Sequence, residues 1–355
     1  MSIAPRQKGL ATVDQLAEFD TIIDARSPGE FAEDRLPGAI NMPVLSDEER
    51  IRVGTLYKQV SAFEAKKVGA ALVSRNIATH IDNFMLDKPK DWRPLVYCWR
   101  GGQRSGAFTH VLREIGWNAH RLDGGYKSWR AHVITQLAQL PLNFQFRVIS
   151  GATGSGKSRL LEALAVHGAQ ILHLEQIAAH KGSVLGGLPG QDQPTQKGFD
   201  SLLLAALSAL DPAQPVFVEA ESRKIGQLHL PDALIDAIRG APCLHIEATL
   251  AARVEFLLRD YDYAIADPAW LLGRLACLKG LQSNETLLDW ERMIAEGAYP
   301  QLVEELLSKH YDALYQSSQS KNYRDFSAAG SFATDDLSSA GIQHLADAVL
   351  SSLSP

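Results

Sequence analysis

The stretch FQFRVISGATGSGKSRLLEALAV, residues 144–166, decides the fold of the second half of the chain. Residues 144–150 are a short apolar run that predicts a strand, and residues 158–166 carry leucines at helical spacing. Between them, GATGSGKS matches G-x4-G-K-S in full, the glycine-rich motif whose backbone N–H groups wrap phosphates. A strand, this turn and a helix in that order predict a phosphate-binding loop (P-loop).

This loop predicts a site for a diphosphate group. Its predicted diphosphate-binding residues are Gly151, Gly154, Ser155, Gly156, Lys157 and Ser158. Ser158 would ligate Mg²⁺, a possible cofactor, and a carboxylate from a neighbouring strand should support it. Glu219 and Glu221 are the supporting candidates, with Arg223 able to pair with phosphate oxygens, although a solvated strand end is the alternative. No Asp ends an apolar strand as in ordinary ATPases, so ATP or GTP as the ligand stays open.

Short apolar runs alternate with helical patterns in both halves of the chain, which predicts parallel sheets covered by helices. The predicted strands are residues 21–24, 95–98, 119–122, 144–150, 170–174, 216–218 and 243–246, and the predicted helices include 65–74, 106–115 and 158–166. The pattern fades over residues 136–143, so we predict domains at 10–138 and 144–355. The second becomes mainly helical after Ala251, and residues 181–197 form a long loop of the kind that is functional or mobile.

Composition limits the class of protein. With 355 residues, 46% apolar and 21% charged, the chain suits two globular domains and no disordered, collagenous or coiled-coil class. A net charge of −6 excludes a generally basic nucleic-acid coat but allows a local basic face. The longest apolar run is too short to span a membrane, and the N-terminus shows no export signal, so we expect a cytoplasmic protein. Its three cysteines form no CxxC pair, which fits a reducing compartment.

A second chemical signal follows the predicted strand LVYC, where Cys98 precedes WRGGQRSG and a helix. The loop's N–H groups, the helix N-terminus and two arginines favour the thiolate of Cys98, which makes it the predicted catalytic nucleophile. The predicted anion loop comprises Trp99, Arg100, Gly101, Gly102, Gln103 and Arg104. The alternative is a buried cysteine at a strand end with two surface arginines nearby.

Three segments around this loop resemble a rhodanese domain over residues 10–138: TIIDARSPGEFAEDRLPGAINMPV, VYCWRGGQRSG and LDGGYKSWR. The resemblance implies that Cys98 carries a chalcogen atom, and we interpret Asp24, Arg26 and Glu30 as structural. The Cys-x5-Arg loop is one residue longer than in simple sulfurtransferases and is closer to that of rhodanese-fold phosphatases. Phosphatase activity is therefore an alternative for this half alone.

A rhodanese-like half joined to a P-loop half resembles the bacterial tRNA 2-selenouridine synthases over nearly the whole chain. The matching segments are CWRGGQRS, GATGSGKS, HKGSVLGGLPGQDQPTQKGFD, VEAESRKIG, LRDYDYA, RLACLKG and SKHYDALY. The implied fold is α/β, an N-terminal rhodanese-like parallel-sheet domain followed by a P-loop NTPase-like α/β domain with a helical C-terminal part. The implied activity converts wobble 2-thiouridine to 2-selenouridine, by S-geranylation with geranyl diphosphate and then selenium exchange from selenophosphate via Cys98.

The same resemblance implies the partners. These are the tRNA anticodon loop and an enzyme that supplies selenophosphate, with no tightly bound organic cofactor and no membrane, and we expect a monomer. We place geranyl diphosphate at the P-loop, with its prenyl chain in a slot between the apolar helices after Ala251. Selenophosphate is placed at the Cys98 loop, gripped by Arg100 and Arg104, with Cys98 accepting selenium as a selenosulfide.

The RNA contacts are less specific. Trp99, Tyr126 and Trp129 are candidates for stacking on an unpaired base. Packing in the core is the alternative, which is favoured for Trp129 and evenly weighted for Trp99. His180, in the long loop, is a weaker candidate, and no role is assigned to Cys277.

Three competing functions remain open from the residues. The first is a rhodanese-type sulfurtransferase or phosphatase with a regulatory nucleotide-binding P-loop domain. The second is a small-molecule kinase with a degenerate rhodanese appendage. The third is a nucleotide-switched binding protein without chemistry, which would need an inert Cys98. An intact Cys98 loop beside a complete P-loop favours an enzyme.

Overall fold

The computed structural model describes residues 9–313, 315 and 330–353, and the chain divides into two compact units between Gln136 and Leu137. Three parts of the sequence predictions lie outside the described residues. They are the N-terminal residues 1–8, where no export signal was expected, Leu314 within the motif SKHYDALY, and the polar segments 316–329 and 354–355.

The N-terminal unit is built on a parallel sheet of five strands in the order β1-β5-β4-β2-β3. The strands are β1 Leu10–Ala11, β2 Thr21–Asp24, β3 Ala39–Asn41, β4 Pro94–Tyr97 and β5 His120–Leu122. The helices are α1 Pro28–Glu33, α2 Asp47–Gln59, α3 Ala62–Phe84, α4 Gln103–Ile115 and α5 Tyr126–Gln139. All four residues of the central strand β4 are buried, so the loop after it starts from the middle of the sheet.

A buried polar cluster ties the loops of this unit to its sheet. Arg26 Nη2 lies 2.6 Å from Asp24 Oδ2, and the Tyr97 hydroxyl donates to the same carboxylate oxygen at 2.6 Å. Arg26 also donates to the backbone oxygen of Asp34 at 2.6 Å. A buried ion pair is tolerated only when further hydrogen bonds satisfy its atoms. The structural interpretation of Asp24 and Arg26 is confirmed.

The C-terminal unit repeats the parallel arrangement, with strands in the order β12-β11-β6-β8-β7. The strands are β6 Gln145–Gly151, β7 Gln170–Leu172, β8 Pro215–Glu219, β11 Cys243–Ala248 and β12 Gly330–Thr334, with a small antiparallel hairpin of β9 Lys224–Ile225 and β10 Leu228–His229. The edge strand β12 was not predicted, because we expected helical structure after Ala251. The central strand β6 leads directly into the glycine-rich turn.

Helices cover this second sheet and extend beyond it. They are α6 Lys157–Val166, α7 Leu174–Ile177, α8 Gln196–Ser208, α9 Asp232–Arg239, α10 Leu250–Asp260, α11 Asp262–Ala266, α12 Pro268–Leu275, α13 Asn284–Ala295, α14 Tyr299–Leu306 and a C-terminal helix Ser339–Leu353. The leucines of α6 pack against this C-terminal helix in one core. Helices α11 to α14 form a second core around Leu271, Trp290 and Leu302. Within the described ranges, no helix is long and apolar enough to cross a bilayer.

Candidate active site

The candidate site of the N-terminal unit is the loop that follows β4. Cys98 stands at its start, 3% exposed, and the Ser105 hydroxyl donates to its Sγ atom at 3.2 Å. Gly101 has a φ of +61°, and a Cβ atom on Gly125 would collide with the backbone of this loop. The loop and the glycine pair after β5 therefore pack backbone to backbone. A hydrogen bond from Ser105 stabilises the thiolate more than the thiol. Ser105 was not predicted as a site residue, although it lies within the motif CWRGGQRS.

The two arginines of this loop have different surroundings. Arg104 donates to both carboxylate oxygens of Glu30, at 2.6 and 3.2 Å, and its positive charge also acts on Cys98. Burial disfavours the charged form of Glu30, but the hydrogen bonds from Arg104 outweigh it and hold the pKa of Glu30 below its ordinary value. Arg100 lies exposed on the loop, as do Gly102 and Gln103. Arg104 thus holds the loop to α1, and Arg100 is the exposed arginine that can reach an anion.

The three aromatic residues near this loop also differ in how far they are exposed to solvent. Trp99 is half-buried, with its ring centroid 5.3 Å from that of Tyr126. Tyr126 is buried and donates its hydroxyl to Asp34 at 2.8 Å, and Trp129 is buried as well. Core packing, the favoured interpretation of Trp129, is therefore confirmed, and Tyr126 also belongs to the core and does not stack on a base. Trp99 keeps an accessible edge.

The candidate site of the C-terminal unit is the P-loop at the carboxyl end of β6. Gly154 and Gly156 have φ values of +81° and +77°, and a Cβ on either would lie within 3 Å of Leu257 or Ile342. Lys157 Nζ donates to the backbone oxygen of Gly151 at 2.8 Å. Together with Gly151 and Ser158, these residues line an open cavity, while Ser155 is buried beneath the loop.

Arg253, on α10, contacts the backbone of the P-loop. Its Nε donates to the Thr153 oxygen at 2.8 Å, and its guanidinium lies 2.6 Å from Asp312. Asp312 belongs to the motif SKHYDALY, so this contact gives that motif a structural role. Sequence reasoning missed Arg253 because it is 100 residues from the loop that it supports.

Carboxylates converge on Ser158. Its hydroxyl donates to Glu175 Oε2 at 2.6 Å, and Glu221 lines the same cavity. Gly182 faces both groups, since a Cβ there would lie 2.6 Å from Glu175 Oε1 and 2.9 Å from Glu221 Oε1. Glu175 was missed because β7 was predicted to run to residue 174, whereas it ends at Leu172 and α7 carries Glu175 into the cavity.

The other two predicted supporting residues lie elsewhere. Glu219 is fully buried: its Oε1 lies 2.5 Å from His173 Nδ1, and its Oε2 accepts from the backbone N–H of Leu174 at 3.1 Å. Glu219 therefore positions α7 and the carboxylate of Glu175. Arg223 is exposed, pairs with Asp232 at 2.5 Å and is not among the described residues that line the cavity. Its predicted contact with phosphate is not supported.

The electrostatics of this cavity suit a cation and a polyanion bound together. Burial raises the pKa of Glu221 well above its ordinary value, and the charges of Glu175 and Glu219 raise it further. Burial also lowers the pKa of Lys157, against the attraction of the same carboxylates. The described residues contain no group of three or more His, Cys, Asp or Glu side chains arranged to hold a metal alone. Mg²⁺ commonly binds through one or two carboxylates together with phosphates, so Ser158, Glu175 and Glu221 fit it.

An apolar pocket of about 90 Å³ adjoins the P-loop cavity. Both are lined by Thr153, Ser183, Leu257, Tyr261 and Tyr311. Beyond these shared residues, the pocket is lined by side chains of α10, α11, α12 and α14 that include Ala264, Trp270, Leu302 and Val303. A slot between the helices after Ala251 was predicted, and a pocket is present there.

Comparisons with known proteins assign the two units. Residues 144–271 match the family model of the tRNA 2-selenouridine synthase AAA domain, and residues 10–132 match that of the rhodanese-like domain. A tRNA 2-selenouridine synthase from Alcanivorax borkumensis is 38% identical over 79% of this chain and 78% of its own length. The chain belongs to the tRNA 2-selenouridine synthase family. The tRNA 2-selenouridine synthase from Aeromonas salmonicida is 32% identical over 83% of this chain and 86% of its own.

A further relative, from Nitrosomonas europaea, is 37% identical over 71% of this chain, and the match spans 66% of that relative's length. Proteins of this family are enzymes, so the prediction of an enzyme is confirmed. The predicted fold class is confirmed as well, with a rhodanese-like parallel-sheet domain first and a P-loop domain with a helical C-terminal part second.

Proposed function

We propose that this chain converts wobble 2-thiouridine in tRNA to 2-selenouridine, by S-geranylation with geranyl diphosphate and then exchange of the geranylated sulfur for selenium from selenophosphate. The observation that carries the proposal is the junction of the P-loop cavity with the apolar pocket, which share five lining residues. A polyanion cradle that opens into an apolar pocket matches a prenyl diphosphate. A nucleoside triphosphate has no comparable apolar tail.

In the geranylation step, the P-loop N–H groups and Lys157 would bind the diphosphate. Lys157 would exchange its contact with the Gly151 oxygen for phosphate oxygens. When bound through Ser158, Glu175 and Glu221, Mg²⁺ would neutralise charge on the diphosphate. The thiocarbonyl sulfur of the tRNA base attacks C1 of the prenyl chain, and the C–O bond breaks with its electron pair leaving on the diphosphate. Lys157 stabilises the charge that develops there.

In the selenium step, the Cys98 loop would bind selenophosphate. The loop N–H groups and Arg100 would hold the phosphoryl oxygens, while the Cys98 thiolate attacks C2 of the S-geranylated base and the C2–S bond breaks. The selenium of selenophosphate then displaces Cys98 from C2, and water cleaves the Se–P bond to release phosphate, so the step needs no oxidant. The Ser105 hydroxyl donates a hydrogen bond to Cys98 Sγ, and the Arg104–Glu30 pair fixes the first turn of α4. S-geranylation makes the sulfur a better leaving group, since it departs as geranyl thiol. We expect the protein to act as a monomer and to receive selenophosphate from a separate enzyme.

Mass spectrometry of tRNA nucleosides tests both assignments. Wild type, Cys98→Ser and Lys157→Ala are incubated first with geranyl diphosphate and then with selenophosphate. We expect Lys157→Ala to lose geranylation but to exchange selenium into pre-geranylated RNA. The Cys98→Ser variant should geranylate the tRNA but should not exchange the geranylated sulfur for selenium. The reverse pattern would show that the two donors have been assigned to the wrong loops.

One observation favours a second candidate function, a sulfurtransferase or phosphatase. The Cys98-x5-Arg104 loop has the length of a cradle for a tetrahedral anion. This candidate predicts turnover of thiosulfate or an aryl phosphate without RNA and with Lys157→Ala fully active. If the wild type turns over neither thiosulfate nor an aryl phosphate in the absence of RNA, this second candidate is excluded and the tRNA-modifying transferase stands.

A further inference from the structure

An open polar cavity of about 930 Å³ lies beside the P-loop cavity, in the C-terminal unit. The two cavities share four lining residues, Gly182, Ser183, Val184 and Ser222. Residues 182–184 thus form a shared wall that borders both the donor diphosphate cavity and this polar cavity. The proposed prenyl donor site makes no use of the polar cavity.

The cavity contains buried polar atoms without partners. His180 is 7% exposed, and its Nδ1 has no hydrogen-bond partner within the described part of the chain. Arg274 donates through Nη2 to the Val184 oxygen at 2.8 Å, which holds the wall, while its buried Nε has no partner among the same residues. Unpaired polar atoms in a buried position are costly unless a ligand completes them. Both side chains line the cavity.

Hydrogen bonds of the Gln193 side chain hold the long loop after His180 in place. Gln193 donates through its amide to the backbone oxygens of Ala178 and Ile225, at 3.1 and 3.0 Å. Its side-chain oxygen accepts from the backbone N–H of Gln227 at 2.8 Å. These hydrogen bonds hold the loop against the C-terminal end of α7 and against the β9–β10 hairpin. Apart from residues 181–184, which also line the P-loop cavity, the segment HKGSVLGGLPGQDQPTQ therefore builds a binding surface outside the donor site.

We propose that this cavity binds the acceptor, an unpaired pyrimidine nucleoside of an RNA strand. His180 Nδ1 and Arg274 Nε are the hydrogen-bonding partners for the base edge, and Lys224 at the rim meets a backbone phosphate. Displacement at the prenyl carbon requires the attacking sulfur beside the donor, and the shared wall places the two ligands next to each other. Among the charged side chains that line the cavity, Arg274 and Lys224 outnumber Asp192, which suits a polyanion.

The inference rests on the proposed function only for the identity of the donor. Burial and the nearby charge of Arg274 both lower the pKa of His180, so the imidazole is neutral at neutral pH. A neutral ring can donate from one nitrogen and accept at the other. Such a ring can pair with a pyrimidine edge, which carries both donors and acceptors.

Cys277 supplies a native probe, since it lines this cavity and is exposed, whereas Cys98 and Cys243 are buried. The full chain is alkylated with a maleimide, and labelling of the Cys277 peptide is followed by mass spectrometry. An anticodon stem-loop RNA that contains 2-thiouridine should slow this labelling at least tenfold, and inorganic pyrophosphate should not. Cys277→Ser verifies the site of the label.

Variants then test the named contacts. His180→Ala and Arg274→Gln should each raise the RNA concentration needed for protection by at least tenfold, with the affinity for geranyl diphosphate unchanged. The matched control is His229→Ala, an exposed histidine of β10 outside the lining, which should behave as wild type. Unaltered RNA protection in both Arg274→Gln and a folded His180→Ala would overturn the proposal, as would absence of protection in the wild type. Protection without any geranylation would instead refute the proposed function and leave the RNA site standing.

Discussion

Filling the apolar pocket should change which prenyl diphosphates the protein accepts. Val303, on α14, is partly buried and lines the pocket away from the residues shared with the P-loop cavity. A phenylalanine at this position would take the space of the far end of a geranyl chain. The Val303→Phe variant should therefore bind geranyl diphosphate weakly and keep its affinity for the shorter dimethylallyl diphosphate.

The size of the effect follows from buried apolar surface. Burial of one CH₂ group contributes about 0.8 kcal/mol, so the second five-carbon unit of geranyl contributes about 4 kcal/mol when it is fully buried. Displacing half or all of that unit costs about 2 to 4 kcal/mol, which corresponds to a Kd that is about 30- to 1000-fold higher.

The measurement is isothermal titration of both diphosphates with wild type, Val303→Phe and Leu288→Phe. Leu288, on α13, is 65% exposed and does not line the pocket, so it is the matched control. Unchanged binding of dimethylallyl diphosphate shows that the variant is folded. If Val303→Phe bound geranyl diphosphate as tightly as the control does, the prenyl chain would lie elsewhere.

Three further predictions concern charged groups of the two units. Glu175→Gln removes the carboxylate beside Ser158, so geranyl diphosphate binding should need a higher Mg²⁺ concentration, and an unchanged Mg²⁺ titration would contradict this role. Glu30→Gln should lower the free energy of unfolding by about 1 to 3 kcal/mol at neutral pH. Because Arg104 lowers the pKa of Glu30, its ionic stabilisation is present above the ordinary value and is lost as pH falls through the folded value, so urea unfolding of variant and wild type should converge in acid. Burial lowers the pKa of His173, but the ion pair with Glu219 and the charges of Glu175 and Glu162 together outweigh it and raise that pKa above its ordinary value. The stabilisation is therefore complete below pH 6.5 and is lost as pH rises through the folded value. Glu219→Gln should flatten that part of the stability profile, and an identical profile would refute the pairing.

Local sequence was sufficient for the parts of the site that form within one strand, turn and helix. Strand β6 and helix α6 begin and end within one residue of the prediction, because the glycines between them allow the positive φ angles of the tight turn that links strand to helix. Cys98 likewise follows its predicted strand directly. These features depend on neighbours in the chain, which the sequence displays.

The parts that sequence reasoning missed depend on contacts between distant residues. Arg104 meets Glu30 across 74 positions, and Arg253 meets the P-loop across 100. Glu175 was missed for a local reason, since β7 is two residues shorter than predicted. The roles of Tyr126 and Trp129 were uncertain because an aromatic side chain in a motif serves a core as readily as a ligand.

The bridge from Arg253 has a consequence for how donor analogues should behave. The Arg253 guanidinium donates to the Thr153 oxygen of the P-loop and to the carboxylate of Asp312. Asp312 directly follows Tyr311, which lines the apolar pocket together with Leu307. In the proposed donor complex, the diphosphate and the prenyl chain would therefore both be supported by Arg253. Geraniol, which lacks the diphosphate, and pyrophosphate, which lacks the prenyl chain, should therefore bind cooperatively. The Kd of each should be lower in the presence of the other than in its absence.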